Sequence, residues 1–579
     1  MNKRIISLLL ALVTVLSLTA CGNKPSSGGG NADGEQITLR VGVSGKSNVS
    51  EWDNNALVLW LEEQSGYNLD IEVFSADKGE RATQIATMVA GGEPQPDVMC
   101  YFNLNQDLQN TYGKDGYLLD LLPFFKDEAF IDSLAQKYDG FNYVKHVEKN
   151  CEEDVKQRYL TEGCSPEGQL WAFPSLGVSQ GDQPRNMLFI NQSWLDKLGL
   201  EMPTNIEELT HVLTEFVTKD PNGNGKADEM GMVGSVNIAR GDIPSWLINN
   251  YIYLNDNYMA NCTDDGQIYL PYDRDEYREG VKAVHEMYEK GLIAELTWTI
   301  KEASELPALF SPVDEVAKIG VWAGHPTLRV TAGNPTLYEY ASLTPFEGAN
   351  AAYEPLTISY VSYISAESEH PDEAFEVLYL LSTPEGSRRM RYGEPGVDWE
   401  WVPCIPECEV CAGKGIHGDG MAMKILNTEA FSGQTDSTFA NTSCSASFAR
   451  DLNIPGHENR DVPFSHNAKA PDDGEITWSE YRSKLLNNHA NGYMAHAEAN
   501  NPKNVVYKLN YTNEELDRLG TAKTDILTYA KEMRAKFITG ELDIADDAVW
   551  QNYVDTIHGL NWDTAISCAQ AAWDRKNSI

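Results

Sequence analysis

The chain has 579 residues, 86 of them acidic and 45 basic, for a formal net charge of −41. That length exceeds what one hydrophobic core organises and points to at least two lobes. The acidic excess argues against nucleic acid, whose recognition needs basic patches that displace counterions.

Residues 1–20 have the pattern of an export signal: Lys3 and Arg4, then apolar Ile5 to Leu18 broken only by Ser and Thr. The run is too short to span a bilayer core of about 30 Å comfortably, and no charged stop-transfer flank follows. In "LTAC", Leu18 to Cys21, small residues before a Cys resemble a bacterial lipobox, which would make Cys21 a lipidated mature N-terminus. A plain secretory signal with an incidental Cys is the alternative. Acyl chains contribute about 0.8 kcal/mol per buried CH₂, so two or three anchor a body without a spanning helix. Residues 21–36 form a flexible tether of Gly, Ser and Asn. With no later apolar run of about 20 residues, the remainder stays on the outer side of the membrane.

"QITLRVGVS" (Gln36 to Ser44) alternates as a strand, "NALVLWLEEQSG" (Asn55 to Gly66) is an amphipathic helix, and "LDIEVFSA" is a second strand. Gly79 to Phe102 adds a helix, a Gly-Gly stop and a third strand. Such alternation predicts an α/β layer with a mainly parallel sheet, whose ligands sit beyond the carboxyl ends of the strands. A second unit begins near Pro184, with a strand, a helix carrying Trp194 and ending at Gly199, and a helix capped by Thr204 with Glu207 completing a capping box. Ala317 to His325 is a buried-type strand; His370 to Trp401 reads as helix, break, helix and aromatic loop; Thr512 to Asp543 is capped helix again.

Between these elements lies "KDPNGNGKADEMG", Lys219 to Gly231. As a calcium loop it places Asp220, Asn222 and Asn224 at positions 1, 3 and 5, with Gly225 making the turn at 6. The Lys226 carbonyl follows at 7 and Asp228 at 9; position 12 holds Gly231 instead of an acid, and Glu229 could substitute. Carboxylate, amide and carbonyl oxygens suit Ca²⁺ and suit zinc or copper poorly. With its shell mostly filled and no nucleophile or base motif nearby, such an ion would be structural. An Asn/Gly turn without metal is the alternative. Elsewhere, Cys404, Cys408 and Cys411 form C-x₃-C-x₂-C, read as free or disulfide-paired thiols, with zinc (adding Cys444 or His417) or an iron–sulfur cluster as alternatives.

Taken in order, the lipobox and tether, "EGQLWAFPS", "LFINQSWLDKLGLEMPTNIEEL", "DPNGNGKADE", "AKIGVWAG", "YGEPGVDWEW" and "KFITGELD" resemble extracellular solute-binding lipoproteins (family 1) of carbohydrate ABC transporters. The long Gram-positive subgroup, similar to alginate-oligosaccharide-binding proteins, matches best. The resemblance implies a two-lobed α/β Venus-flytrap with discontinuous lobes: residues 37–185 with 343–394, and 186–342 with 395–579. It also implies structural Ca²⁺ in the loop above, an oligosaccharide ligand, permease subunits as partners, and a lipid-anchored monomer on the outer face of the cell membrane.

Sugars offer C–H faces rimmed by hydroxyls, so a site needs aromatic faces with polar groups in plane. Strand ends and loops offer Trp52, Asp53, Tyr101, Asn103, Trp246, Trp322, His325, Asp398 and Trp399. Trp60 and Trp194 read as core, and Arg388, Arg389 and Arg391 as a solvated helix face that could instead take a uronate. A secreted polysaccharide lyase or glycosidase and a peptide receptor are the rival functions. The chain lacks G-x-S-x-G and H-E-x-x-H, which disfavours an enzyme.

Overall fold

The computed structural model describes residues 36–577 apart from 46–48, 50, 53, 151–152, 177–185, 239, 258, 302–304, 306–308, 311–315, 326–334, 352–357, 404–419, 427–484, 486–487, 490, 497–505 and 507–508. Cys21, Asp53 and the Cys404–Cys411 cluster with its partners Cys444 and His417 lie outside the described residues.

The opening follows the alternating pattern: β1 (Thr38–Ser44), α1 (Ala56–Ser65), β2 (Asn68–Phe74), α2 (Lys78–Gly91) and β3 (Val98–Cys100). Asn55 Oδ1 accepts from the N–H groups of Leu57 and Val58 to start α1, and Gly66 ends it at φ 83°, a conformation glycine adopts without penalty. Then come α3 (Gln106–Lys114), α4 (Glu128–Lys137) and β4 (Phe173–Leu176). The second unit has β5 (Leu188–Asn191), α5 (Gln192–Leu198), α6 (Ile206–Thr218), β6 (Met230–Val233) and α7 (Ile243–Ile248). A short hairpin of β7 (Asn261–Cys262) and β8 (Ile268–Tyr269) precedes α8 (Asp275–Glu289), β9 (Ile319–Ala323) and β10 (Tyr340–Leu343). The chain continues through β11 (Ile358–Ile364), α9 (Pro371–Ser382), α10 (Pro384–Tyr392), β12 (Trp399–Pro403) and β13 (Met421–Ile425). It ends in four helices, α11 (Asn513–Leu519), α12 (Ala522–Ile538), α13 (Asp547–His558) and α14 (Trp562–Asn577).

Two sheets organise these elements. The first has the order β2-β1-β3-β11-β4, with β1 parallel to β2 and β3, and β11 antiparallel to both β3 and β4. The second has the order β10-β5-β9-β6, with β6 parallel to β9 and β5 antiparallel to its neighbours. One apolar core gathers Leu39, Val41, Leu57, Val98, Phe173, Tyr363 and Met390 around the first sheet. Another gathers Leu188, Trp194, Phe216, Val321, Leu343, Phe346 and Phe537 around the second. Leu343 and Phe346 belong to the second core, so the return crossing falls after Phe346, a few residues beyond the expected boundary.

The register places the first two crossings, from β4 to β5 and from β10 to β11, at the same edge of each sheet. The first crossing leaves β4 at Leu176, beside the amino end of β11 (Ile358 opposite Leu176) and thus at the carboxyl end of β3. It enters the second sheet at Leu188, which pairs with Ala323 at the carboxyl end of β9. The return segment leaves β10 at Leu343, opposite Leu188, and enters β11 at Ile358. Both connections therefore join the carboxyl-end edge of one parallel core to that of the other. Among the described residues no helix is long and apolar enough to cross a membrane.

The structure departs from the sequence expectation at several elements. Helix α6 is capped by Asn205, whose Oδ1 accepts the Glu208 N–H (2.9 Å), while Glu208 Oε2 accepts from Thr204 N (2.8 Å) and Oγ1 (2.9 Å). The cap thus sits one residue later than Thr204, because Asn is the better cap, and Glu208 reaches back to Thr204 and not to the capping residue, so the expected Thr204–Glu207 box does not form. The expected aromatic loop is strand β12, paired with β13. The Arg388 guanidinium lies 5.3 Å from the Trp401 ring centre and Arg389 5.0 Å from that of Trp60, so these two arginines cover aromatic rings and pair with Glu385 rather than form a solvated face.

Candidate functional site

Trp52 follows β1 and Tyr101 follows β3, two paired strands, and both rings pack half-buried on the first core. Tyr101 and Asn103 hold φ of 58° and 51°, left-handed values that are strained for a tyrosine and tolerated by Asn. Long-range contacts fix that turn: the Tyr101 N–H donates to Ser362 Oγ (3.1 Å) and the Asn103 N–H to the Val361 carbonyl (3.2 Å), both from β11. Such strain persists where surroundings over-determine it, and it clusters at ligand sites. Asn103 is exposed.

On the second sheet, His325 follows β9 and is half-buried. Arg240, which the sequence did not single out, has φ 67° and bridges Asn186 immediately before β5, at the same edge. No motif signals it, because only the fold brings residues 186 and 240 together.

Four other candidates are packing residues in this structure. Trp322 is 2% exposed and wedged between Phe189 (centroids 4.5 Å apart), Phe310 and Tyr340. Trp246 is equally buried, edge-on to Phe346. Trp399 donates its Nε1–H to the Gly393 carbonyl (3.0 Å), and buried Asp398 accepts the Glu394 N–H (2.8 Å), so both fasten the turn before β12. Their ring faces are covered by protein. Trp60 and Trp194 are core, as their helical faces imply.

The Asn/Gly loop enters β6 at its amino end, four residues from the strand's far end, or about 13 Å from the crossing edge. Asp220 Oδ1 and Oδ2 accept the N–H groups of Asn224 (3.1 Å) and Gly225 (3.0 Å). Asn222 Oδ1 takes the Asn224 N–H (2.9 Å) and Asn224 Oδ1 the Lys226 N–H (2.7 Å). These side-chain turns wrap the loop around its own oxygens. Gly225 has φ 74°, which the turn requires. Asp228 Oδ1 accepts from the amides of Asn224 (3.0 Å) and Asn222 (3.5 Å), and Oδ2 pairs with Lys318 Nζ (2.8 Å). Lys318 and these amides hold the Asp228 carboxyl down at about 2.

Glu229 is different. Its Oε1 is buried with no hydrogen-bond partner among the described residues. Burial first, then the nearby Asp220 and Asp228 charges, push its pKa up. An uncompensated buried carboxylate oxygen calls for a cation. Position 12 is closed to an acid, since a Cβ on Gly231 would lie 2.3 Å from the Leu292 carbonyl oxygen. Glu229 is thus the acid this loop can offer. Among the described residues no three His, Cys, Asp or Glu side chains form a metal cluster by themselves, so amide and backbone oxygens must complete any set. Hard oxygen donors of this kind fit Ca²⁺.

Known proteins place this architecture. The model of the bacterial extracellular solute-binding protein family matches residues 46–387. The chain is 28% identical over 304 residues to the fructooligosaccharide ABC transporter substrate-binding protein FusA of Streptococcus pneumoniae, covering 50% of this chain and 52% of that one. It is 30% identical over 293 residues to lipoprotein LipO of Bacillus subtilis, covering 51% of each. The chain spans about half the length of the curated relatives it matches. Among solved structures, an extracellular solute-binding protein of Bifidobacterium longum subsp. infantis superposes with a TM-score of 0.68 at 18% identity, covering 94% of this chain and 99% of that one. FusA in complex with kestose superposes at 0.64 and 19% identity, covering 93% and 99%. The calcium-free alginate-binding protein AlgQ2 superposes at 0.56 and 19%, covering 95% and 100%. The fold is thus that of two-lobed solute-binding proteins, and the chain belongs to the bacterial extracellular solute-binding protein family.

Proposed function

We propose that this chain is the extracellular substrate-binding lipoprotein of a carbohydrate ABC importer, taking an oligosaccharide between its lobes and passing it unaltered to the permease. The observation that carries the reading is the topology: the first two crossings join the carboxyl-end edges of the two sheets, so those edges flank the hinge. Trp52, Tyr101 and Asn103 would supply one wall and His325 with Arg240 the other. A ligand touching both walls favours the closed state by its differential affinity, which is what an import machine needs to sense. Sugar as the ligand class rests on the relatives named above and on half-buried aromatic rings at the first edge. Lipidation of Cys21 would anchor the body on the outer face of the membrane.

Asp220, Asn222, Asn224, the Lys226 carbonyl, Asp228 and Glu229 would hold Ca²⁺. The ion would neutralise clustered carboxylates and fasten the loop. Its role is that of a clamp, since the loop lies at the end of β6 opposite the crossing edge. A thermal-shift screen of the mature chain against an oligosaccharide library, with calcium and with chelator, tests ligand and metal together. Stabilisation by one glycan family, with no new reducing ends or unsaturated products, is the expected result. Cleavage of the bound glycan would refute it.

A further inference from the structure

We propose that Lys318 is a built-in counter-cation of the Asn/Gly loop, which competes with calcium for Asp228 and sets the loop's affinity. The inference rests on the calcium reading of that loop. Lys318 immediately precedes β9, and its carbonyl accepts the Met230 N–H (2.7 Å), so its backbone is fixed beside the end of the loop. From there its ammonium reaches Asp228 Oδ2 at 2.8 Å, with both side chains 27% exposed. Oδ1 of the same carboxylate is taken by the amides of Asn224 and Asn222. Both oxygens of the ligand at position 9 are therefore satisfied by protein donors.

A calcium ion needs Asp228 and the oxygens of Asn222 and Asn224 turned toward it. Binding must then break the amide bonds to Oδ1 and set a divalent cation against an ammonium that the β9 backbone holds nearby. Both steps weaken affinity without removing the site. A second lysine serves as the internal comparison. Lys197 Nζ donates to the Pro221 carbonyl (2.5 Å), a group that is no ligand in the scheme above. It steadies the loop and leaves the carboxylates alone. The arrangement keeps the loop folded with or without the ion, and it tunes binding to the high calcium concentrations met outside cells, where modules typically bind at about 10⁻⁴ to 10⁻³ M.

The test is calcium titration of the purified mature chain by calorimetry, for wild type, Lys318→Met, Lys318→Gln and Lys197→Met. A partly exposed ion pair contributes modestly, so the expected result is a Kd about three- to fivefold lower for both Lys318 variants and within about 1.5-fold of wild type for Lys197→Met. If wild type binds calcium while the Lys318 variants bind equally or more weakly, Lys318 orients Asp228 instead of competing for it, and the inference is overturned. If wild type takes up no calcium at all, the metal reading itself fails, and the inference with it.

Discussion

Replacing Asp256 by Asn should be among the most destabilising single changes in the second lobe. Asp256 and Arg534 are 5% and 6% exposed, and their groups meet in a forked pair, Nη2 to Oδ2 at 2.7 Å and Nη1 to Oδ1 at 3.4 Å. The Tyr272 hydroxyl donates to Oδ1 (3.1 Å), while Asp242 and Lys531 stand at 3.9 Å and 3.7 Å from the pair. Burial alone would raise the Asp256 pKa, but the Arg534 charge and its hydrogen bonds bring it below the ordinary value. Removing the carboxylate leaves a buried guanidinium whose next acid is 3.9 Å away, and breaking one partner of such a pair costs about 3–5 kcal/mol. Removing both costs less, because no charge is then stranded, so Asp256→Asn with Arg534→Met should be less destabilised than the sum of its parts. Urea unfolding of the four members of that cycle measures the coupling. A depressed carboxylate stabilises the fold above its unfolded pKa of about 3.9 and loses that contribution as pH falls through the lower folded value. The wild-type advantage over Asp256→Asn should therefore be complete at neutral pH and shrink below about pH 4. A single-mutant cost under about 1 kcal/mol, or strictly additive single costs, would refute the reasoning.

Other substitutions separate structural from binding roles. In the first lobe, Glu376 accepts from the Tyr67 hydroxyl (2.7 Å) and that of Tyr138 and pairs with Lys137 (2.5 Å), so Glu376→Gln should cost about 1–3 kcal/mol in denaturant unfolding. Trp52→Ala and Tyr101→Ala should weaken glycan binding at least about tenfold with small stability changes, whereas Trp322→Ala should cost about 3–5 kcal/mol through the cavity it leaves; stability losses of equal size would erase the distinction. Chelator should lower the thermal midpoint of the mature chain, since calcium at 100 times its Kd stabilises by about 2.7 kcal/mol. His489 is buried, its Nε2 accepts the Leu188 N–H (3.1 Å), and burial lowers its pKa to about 3. The unfolded chain takes up that proton near pH 6.5 and the folded one does not, so this part of the stability falls as pH drops from about 6.5 toward 3. His489→Gln should flatten the acid limb of the stability curve.

Local rules made the first layer legible. Alternation marked β1 and β2, and Asn55 and Gly66 bracketed α1 because a cap and a left-handed stop are properties of single residues. What stayed hidden depends on partners far along the chain. Trp322 at a strand end looked like a sugar platform, yet β9 is central, between β5 and β6, and every one of its residues is buried. Trp399 and Trp401 looked like a loop because their strand partner β13 lies about twenty residues on. The strained turn at Tyr101 is imposed by β11, some 260 residues later, and nothing in the local sequence announces it. The Asn/Gly spacing of the loop was visible locally; Lys318, which pairs with Asp228, arrives from a segment about ninety residues away and had no local signal.

The same distinction bears on how two lobes can move. The strong polar pairs described above lie within single lobes: Glu376 with Lys137 in the first, Asp256 with Arg534 in the second. Between lobes, Asn510 Nδ2 donates to the carbonyls of Glu162 and Cys164, each at 2.9 Å. Arg575 holds the Asn510 carbonyl (2.8 Å), which keeps that amide in place. Neutral hydrogen bonds of this type are worth about 1 kcal/mol each, against several for the buried charge pairs. Opening and closing can thus exchange such contacts for water at little cost while each lobe keeps its core. A ligand then needs only a modest preference for the closed state to shift the balance, because the population follows differential affinity and not total affinity.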